Sequence, residues 1–222
     1  SADADYLPLS GTSMSCPIVA GALAILKQAY PSITPETARI ALLEGARDLS
    51  DVEDVEFLKS GFGLINVSAS LDYLNYLNAT YSKVNDVAKI APDELPVQPY
   101  DLLNFPGDRQ LFNLTVISGK NNNYDINYSS IVEGISLSID KPQLTFSDAG
   151  VNFVALDIEI ESDAAPGIRI FELNLTSGVR LYDKINVSID VRLPEHRVLM
   201  DSYHGLNDWL PELSFYQMDF YG

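Results

Sequence analysis

The 222-residue sequence holds a single cysteine and two histidines, and its acidic residues outnumber its basic ones by 31 to 14. A lone Cys16 excludes an internal disulfide framework and a cysteine-based metal site. The formal charge of −17 argues against nucleic acid or an anionic membrane surface as a partner, because both are held by clustered Lys and Arg. No run of roughly 18 apolar residues occurs, so no transmembrane segment is expected in this chain. An initiator Met and a charged-then-apolar leader are also missing, and the first Met is Met14, so Ser1 is read as something other than a natural translation start. What remains is the composition of an ordinary globular protein, 46% hydrophobic and 20% charged, long enough for one large or two medium domains.

The most informative stretch is Gly11-Thr12-Ser13-Met14-Ser15-Cys16-Pro17-Ile18-Val19-Ala20-Gly21, followed by the apolar Ala22-Leu23-Ala24-Ile25-Leu26. A serine between a glycine turn and a helix start has its hydroxyl at the helix's positive end, where unpaired N–H groups bind anions. The run from Pro17 to Ala29 carries one charge, Lys27, and is apolar nearly all round, so it predicts a helix buried in a sizeable core, with Cys16 a small core residue beside it.

This stretch closely resembles the serine motif of the subtilisin-like serine proteases (subtilases, peptidase family S8), departing from it at Ile18, where most members carry a histidine that takes no part in proton transfer. The resemblance continues in Ser32-Ile33-Thr34-Pro35-Glu36, which opens a second helix, and in Gly61-Phe62-Gly63-Leu64-Ile65-Asn66, which is similar to the segment leading into the family's last helix. It covers roughly the first 80 residues, the length of a small domain piece.

The resemblance implies that Ser13 is the catalytic nucleophile, attacking a scissile peptide carbonyl to form an acyl-enzyme. Gly11 and Thr12 would shape the turn, and Met14 would line the leaving-group side of the cleft. A histidine would take the proton, an aspartate would orient it, and the Ser13 N–H with an asparagine side chain would bind the oxyanion. The family's chain order is Asp, His, Ser, so those partners are expected in an upstream segment of the same protein. His196 and His204, with Asp201 near the latter, follow a separate domain and are read as turn residues. The expected partners are therefore a peptide or protein substrate and that upstream segment. No metal and no cofactor are expected in this chain, and the resemblance implies calcium as a stabilising ion of the complete protein; the carboxylates from Asp48 to Glu56 read as a solvated loop.

Taken in order, the pattern predicts a first helix ending at Pro31, and a second with Thr34 as N-cap and Pro35 at its first position, ending near Gly45. A third runs over Val67 to Leu77, with Leu71, Leu74 and Leu77 on one side. Residues 81–108 read as a linker, since Pro92, Pro96, Pro99 and Pro106 break regular structure. From Arg109 the period becomes two. Strands are expected from Arg109 on and at Ile135 to Ile139, Gln143 to Phe146, Phe153 to Ile160, Ile168 to Leu175 and Lys184 to Val191, with turns between them that include Asn121-Asn122-Asn123. Such spacing means an antiparallel β-sandwich over 109–193, most like an immunoglobulin or fibronectin type III module. Residues 194–222 read as the start of a further α/β unit. The expected fold class is thus multi-domain: the C-terminal helical part of a subtilisin-like α/β domain over 1–80, then the sandwich, then that truncated third domain.

Sequons at Asn78, Asn113, Asn127, Asn174 and Asn186 predict a secreted or cell-surface glycoprotein; a further one, Asn66, belongs to the structural motif. The combined expectation is the serine-bearing fragment of a secreted subtilisin-like serine endopeptidase, inactive by itself. Two other readings fit the same residues: a catalytically inactive subtilase-like scaffold of a cell envelope, and a binding module in which the β-sandwich is the functional part.

Overall fold

The computed structural model describes residues 11–49, 61–95, 105–129 and 132–192. They form two compact units. One comprises the chain up to Lys89 with 117–123 and 145–151; the other comprises 90–116, 124–144 and the chain from Asn152 on.

The first unit is helical: α1 (Thr12–Ala29), α2 (Pro35–Glu44) and α3 (Val67–Tyr81). The start of α2 is as expected. Thr34 Oγ1 accepts the Thr37 N–H at 3.2 Å, Pro35 holds the first position, and Gly45 closes the helix. Asn66 caps α3 in the same way, its Oδ1 accepting the Ala69 N–H, and Ser82 ends that helix in the left-handed region with φ 54°. Between α2 and α3 the backbones of Arg47 and Leu64 exchange hydrogen bonds of 2.7 and 2.9 Å. Gly63 lies at φ 109°, and a Cβ there would stand 2.1 Å from the Arg47 carbonyl oxygen, so only glycine fits. Leu26, Ile33, Ala38, Ile40, Ala41, Leu74, Leu77, Val87 and Ile117 make this unit's core. Lys89 is buried and sits 2.7 Å from Glu44, over the ring of Phe62.

The remaining elements are strands: β1 (Ala88–Ala91), β2 (Glu94–Leu95), β3 (Arg109–Ser118), β4 (Asn122–Tyr128), β5 (Ile135–Ile139), β6 (Gln143–Phe146), β7 (Gly150–Ile160), β8 (Gly167–Ser177) and β9 (Arg180–Val191). One sheet has the order β1-β3-β7-β5 and the other β2-β9-β8-β4-β6. Pairing is mostly antiparallel, with β2 parallel to β9. Alternation sets one face inward: Val154, Leu156, Ile158 and Ile160 on β7, Phe171, Leu173 and Leu175 on β8, and Ile185, Val187, Ile189 and Val191 on β9 are all buried.

Four expectations are corrected. Helix α1 begins at Thr12 rather than Pro17, which becomes an internal proline. Its N-terminal half is exposed from Thr12 through Gly21, Cys16 included, because among the described residues it is the later turns, with Ala22 and Leu26 buried, that pack on a core. The stretch read as a linker contains β1 and β2; Pro92 falls just past the end of β1 and so bounds the strand without interrupting its hydrogen bonds. Asn122 and Asn123 begin β4 rather than forming a turn, since Tyr124 and Ile126 supply two inward anchors of period two. The acidic loop from Ser50 to Glu56 and residues 194–222, with His196, Asp201 and His204, lie outside the described residues.

Candidate functional site at the start of helix α1

Gly11 is the N-cap of α1, with φ 146°, in the range that favours glycine, and it supplies no side-chain cap. Its carbonyl accepts the N–H groups of Met14 at 3.0 Å and Ser15 at 3.4 Å. The N–H groups of Thr12 and Ser13 are the first two of the helix and have no partner within it. Ser13 therefore presents its hydroxyl and its own N–H together at the positive end of an 18-residue helix whose first turn holds no acidic residue. An oxygen carrying developing negative charge is favoured there.

Pro17 adds a second local effect. It has no N–H, so the carbonyl of Ser13, four residues earlier, lacks the helical bond it would otherwise receive. The turn carrying the serine is thus tied to the helix less tightly than the turns after it.

The opposite end of α1 is anchored. Leu26 is fully buried, Lys27 Nζ donates to the Ile33 carbonyl at 3.1 Å, and the Tyr30 hydroxyl donates to Asn75 Oδ1 at 2.6 Å. Along the unanchored part, Met14, Ile18, Gly21 and Ile25 fall on one stripe at helical spacing, with Val19 beside it. Ile18 is 61% exposed and Ile25 47%. Small residues, Ser13, Pro17, Ala20 and Ala24, line the adjacent strip.

The predicted residues Gly11, Thr12, Ser13 and Met14 are thus brought together at one helix terminus. Among the described residues no hydrogen-bond partner reaches the Ser13 hydroxyl, and no group of three or more His, Cys, Asp or Glu side chains is placed to hold a metal ion. No described helix is long and apolar enough to cross a membrane.

The sequons fall elsewhere. Asn78 is exposed on α3, Asn113 on β3, Asn127 on β4 and Asn186 on β9, while Asn174 on β8 is half-buried. Strand register puts Asn127 directly opposite Asn174, a juxtaposition that sequence alone, without the pairing of β4 with β8, does not reveal.

The subtilase family model (peptidase S8) matches residues 2–63. Subtilisin-like protease SBT1.4 of Arabidopsis thaliana is 36% identical over 74 residues, 32% of this chain and 10% of that protein. Subtilisin-like protease SBT1.7 of the same plant is 27% identical over 176 residues, 64% of this chain and 23% of that protein. The chain spans less than a quarter of the length of these curated relatives. Among solved structures, tripeptidyl peptidase 2 aligns with 81% of this chain and 16% of its own, at 16% identity and a TM-score of 0.40. The family match runs through the serine-bearing turn, the capped α2 and the Gly61–Gly63 turn, and over residues 2–63 the chain is similar to the subtilase family.

Proposed function

We propose that this chain is the serine-bearing part of a subtilisin-like serine endopeptidase, in which Ser13 forms the acyl-enzyme. The general-base histidine, the aspartate that orients it and the oxyanion asparagine come from a segment upstream of Ser1. The observation that carries the reading is the exposure of Ser13 at the head of a helix whose apolar Met14, Ile18, Val19 and Ile25 stand exposed among the described residues. A buried-type helix with an open face calls for a covering layer, and the family order places the two catalytic partners in that layer.

In the assembled site the Ser13 hydroxyl would lose its proton to the upstream histidine as the oxygen attacks the peptide carbonyl. The Ser13 N–H, free of any helical partner, would then hold the oxyanion. Without those partners the hydroxyl is a weak nucleophile. The two sheets fit a sandwich of immunoglobulin or fibronectin III type, and the sequons fit an exported glycoprotein. A stabilising calcium ion belongs to the same reading of the complete protein.

The test is fluorophosphonate labelling of the full-length protein, with peptide mapping at Ser13 and Ser13→Ala as control. An adduct on Ser13 that heat denaturation abolishes supports the reading. A native protein that labels no better than the denatured one overturns it and favours the inactive scaffold.

A further inference from the structure

On β8 the outward-facing residues are Ile168, Ile170, Glu172, Asn174 and Thr176, alternating with the buried Phe171, Leu173 and Leu175. Ile168 and Ile170 are 66% and 67% exposed, on the part of β8 that pairs with β9 and lies beyond the stretch, Leu173 to Thr176, that pairs with β4. Isolated exposed aliphatics are commonplace, but two successive ones on one face of a strand form a patch that a cover would shield from water.

Asparagines of Asn-x-Ser/Thr sequons lie on the same face as that patch. Asn186 on β9 pairs with Glu172, and Ile170 pairs with Ser188. Asn186 and Ile170 are therefore diagonal neighbours on one face, roughly 7–8 Å apart. Further along the same face, Asn174 stands directly opposite Asn127, whose Nδ2 lies 3.4 Å from Thr176 Oγ1. Three Asn-x-Ser/Thr sequons, Asn127-Tyr128-Ser129, Asn174-Leu175-Thr176 and Asn186-Val187-Ser188, thus lie on adjacent strands with their asparagines pointing the same way.

We propose that the outward face of the five-stranded sheet is a glycan-bearing face, and that N-linked sugar at Asn186, joined by sugar at Asn127 or Asn174, covers Ile168 and Ile170. The reaction is transfer from a lipid-diphosphate-linked oligosaccharide. The asparagine Nδ2 forms a bond to the anomeric carbon of the first sugar and loses one proton, the bond from that carbon to the diphosphate oxygen breaks, and the lipid diphosphate leaves. The C–H faces of the first sugar rings then lie against the two isoleucines, while their hydroxyls face water. Because Asn127 and Asn174 share one cross-strand position, one sugar chain there screens both. This proposal rests on the exported-glycoprotein part of the reading above and is independent of whether Ser13 is active.

The test is site-resolved occupancy in the full-length protein from its native source: release with peptide N-glycosidase F in ¹⁸O water, then mass mapping of the sequon peptides. Label at Asn186 and at one or both of Asn127 and Asn174 is the expected result. Label at Asn78 or Asn113 with Asn127, Asn174 and Asn186 bare overturns the proposal and leaves export standing, since the protein has met the transferase with this face covered by something else. A protein bare at every sequon overturns both. The covering role is read separately: Asn186→Gln should raise binding of the apolar dye ANS roughly two-fold, and adding Ile170→Thr should return it to the starting level. An unchanged signal in Asn186→Gln overturns the cover.

Discussion

The N-cap of α2 is where local sequence and tertiary packing depend on one atom, and replacing it gives a prediction with a worked size. Thr34 Oγ1 accepts the Thr37 N–H at 3.2 Å, lies 2.8 Å from Thr37 Oγ1, and donates to the Gly119 carbonyl at 3.2 Å. Since a hydroxyl has one proton, donation to Gly119 makes the Thr37 hydroxyl the donor to Thr34, and the atom's capacity is filled. Thr37 and Gly119 are both buried, so removing the hydroxyl strands groups that water cannot reach. Loss of an N-cap costs about 1 kcal/mol, and stranding a buried carbonyl another 1–2, so Thr34→Ala should cost about 2–3 kcal/mol. Thr34→Ser keeps all three contacts and should cost less than about 0.5. With a urea slope of about 2–3 kcal/mol/M, the alanine variant's midpoint falls by about 1 M when unfolding is followed by helical circular dichroism. A serine variant as unstable as the alanine one would refute the argument, because the methyl group and not the hydroxyl would then carry the effect.

Other consequences are open to measurement. A Cβ on Gly45 would stand 2.4 Å from Ser70 N and Oγ, so Gly45→Ala should destabilise by about 1–3 kcal/mol in thermal melts; nothing lies within 4 Å at the helical Gly21, and Gly21→Ala should stabilise this chain by up to about 1 kcal/mol. Equal effects at the two glycines would sink the packing account. Arg109 Nε donates to both oxygens of Asp157 at 2.8 and 3.0 Å, and these hydrogen bonds, with the guanidinium charge, hold the Asp157 carboxyl below the usual carboxylate range. The pair therefore contributes stability above the ordinary carboxylate pKa of about 4, and loses it as pH falls through the lowered folded value. Asp157→Asn should flatten the acid limb of the stability profile, more visibly at low salt than at high; an unaltered limb refutes the assignment.

Much of the fold was legible because each signal was local. Thr34, Pro35 and Gly45 bound α2 by cap chemistry, Asn66 opens α3 where the glycine motif ends, and period-two alternation marks β5 and β6 to the residue. What stayed hidden depends on partners distant in sequence. β1 is four residues and β2 two, too short to show a period, and they are strands because β3 and β9 offer them a pairing edge. Asn122 and Asn123 have turn chemistry, and cross-strand pairing draws them into β4 despite it. At the sequons the residues were legible one by one, and their shared face was not, because a face is a property of register.

The first helix shows a different limit. Ser13 and the glycine turn before it could be placed at a helix head from sequence, yet Ile18, Val19 and Ile25 read as core and stand exposed, as does Met14. Hydrophobic patterning records the surroundings in which a segment is meant to sit, whereas exposure records what is present around it. Where the two agree, as at Leu26, Leu74 and Leu77, the helices pack into a closed core. Where they disagree, the exposed apolar surface sets the scale of what a cover would contribute: four side chains of this size, fully covered, correspond to roughly 1.5–3 kcal/mol each. An interaction of that scale is enough to hold a covering layer in register with Ser13. The apolar stripe and Ser13 also lie on one helix, so whatever covers the stripe is placed relative to the serine hydroxyl by the same element. Burial and chemistry at this end of the chain are therefore one question, and fluorophosphonate labelling at Ser13 reads them together.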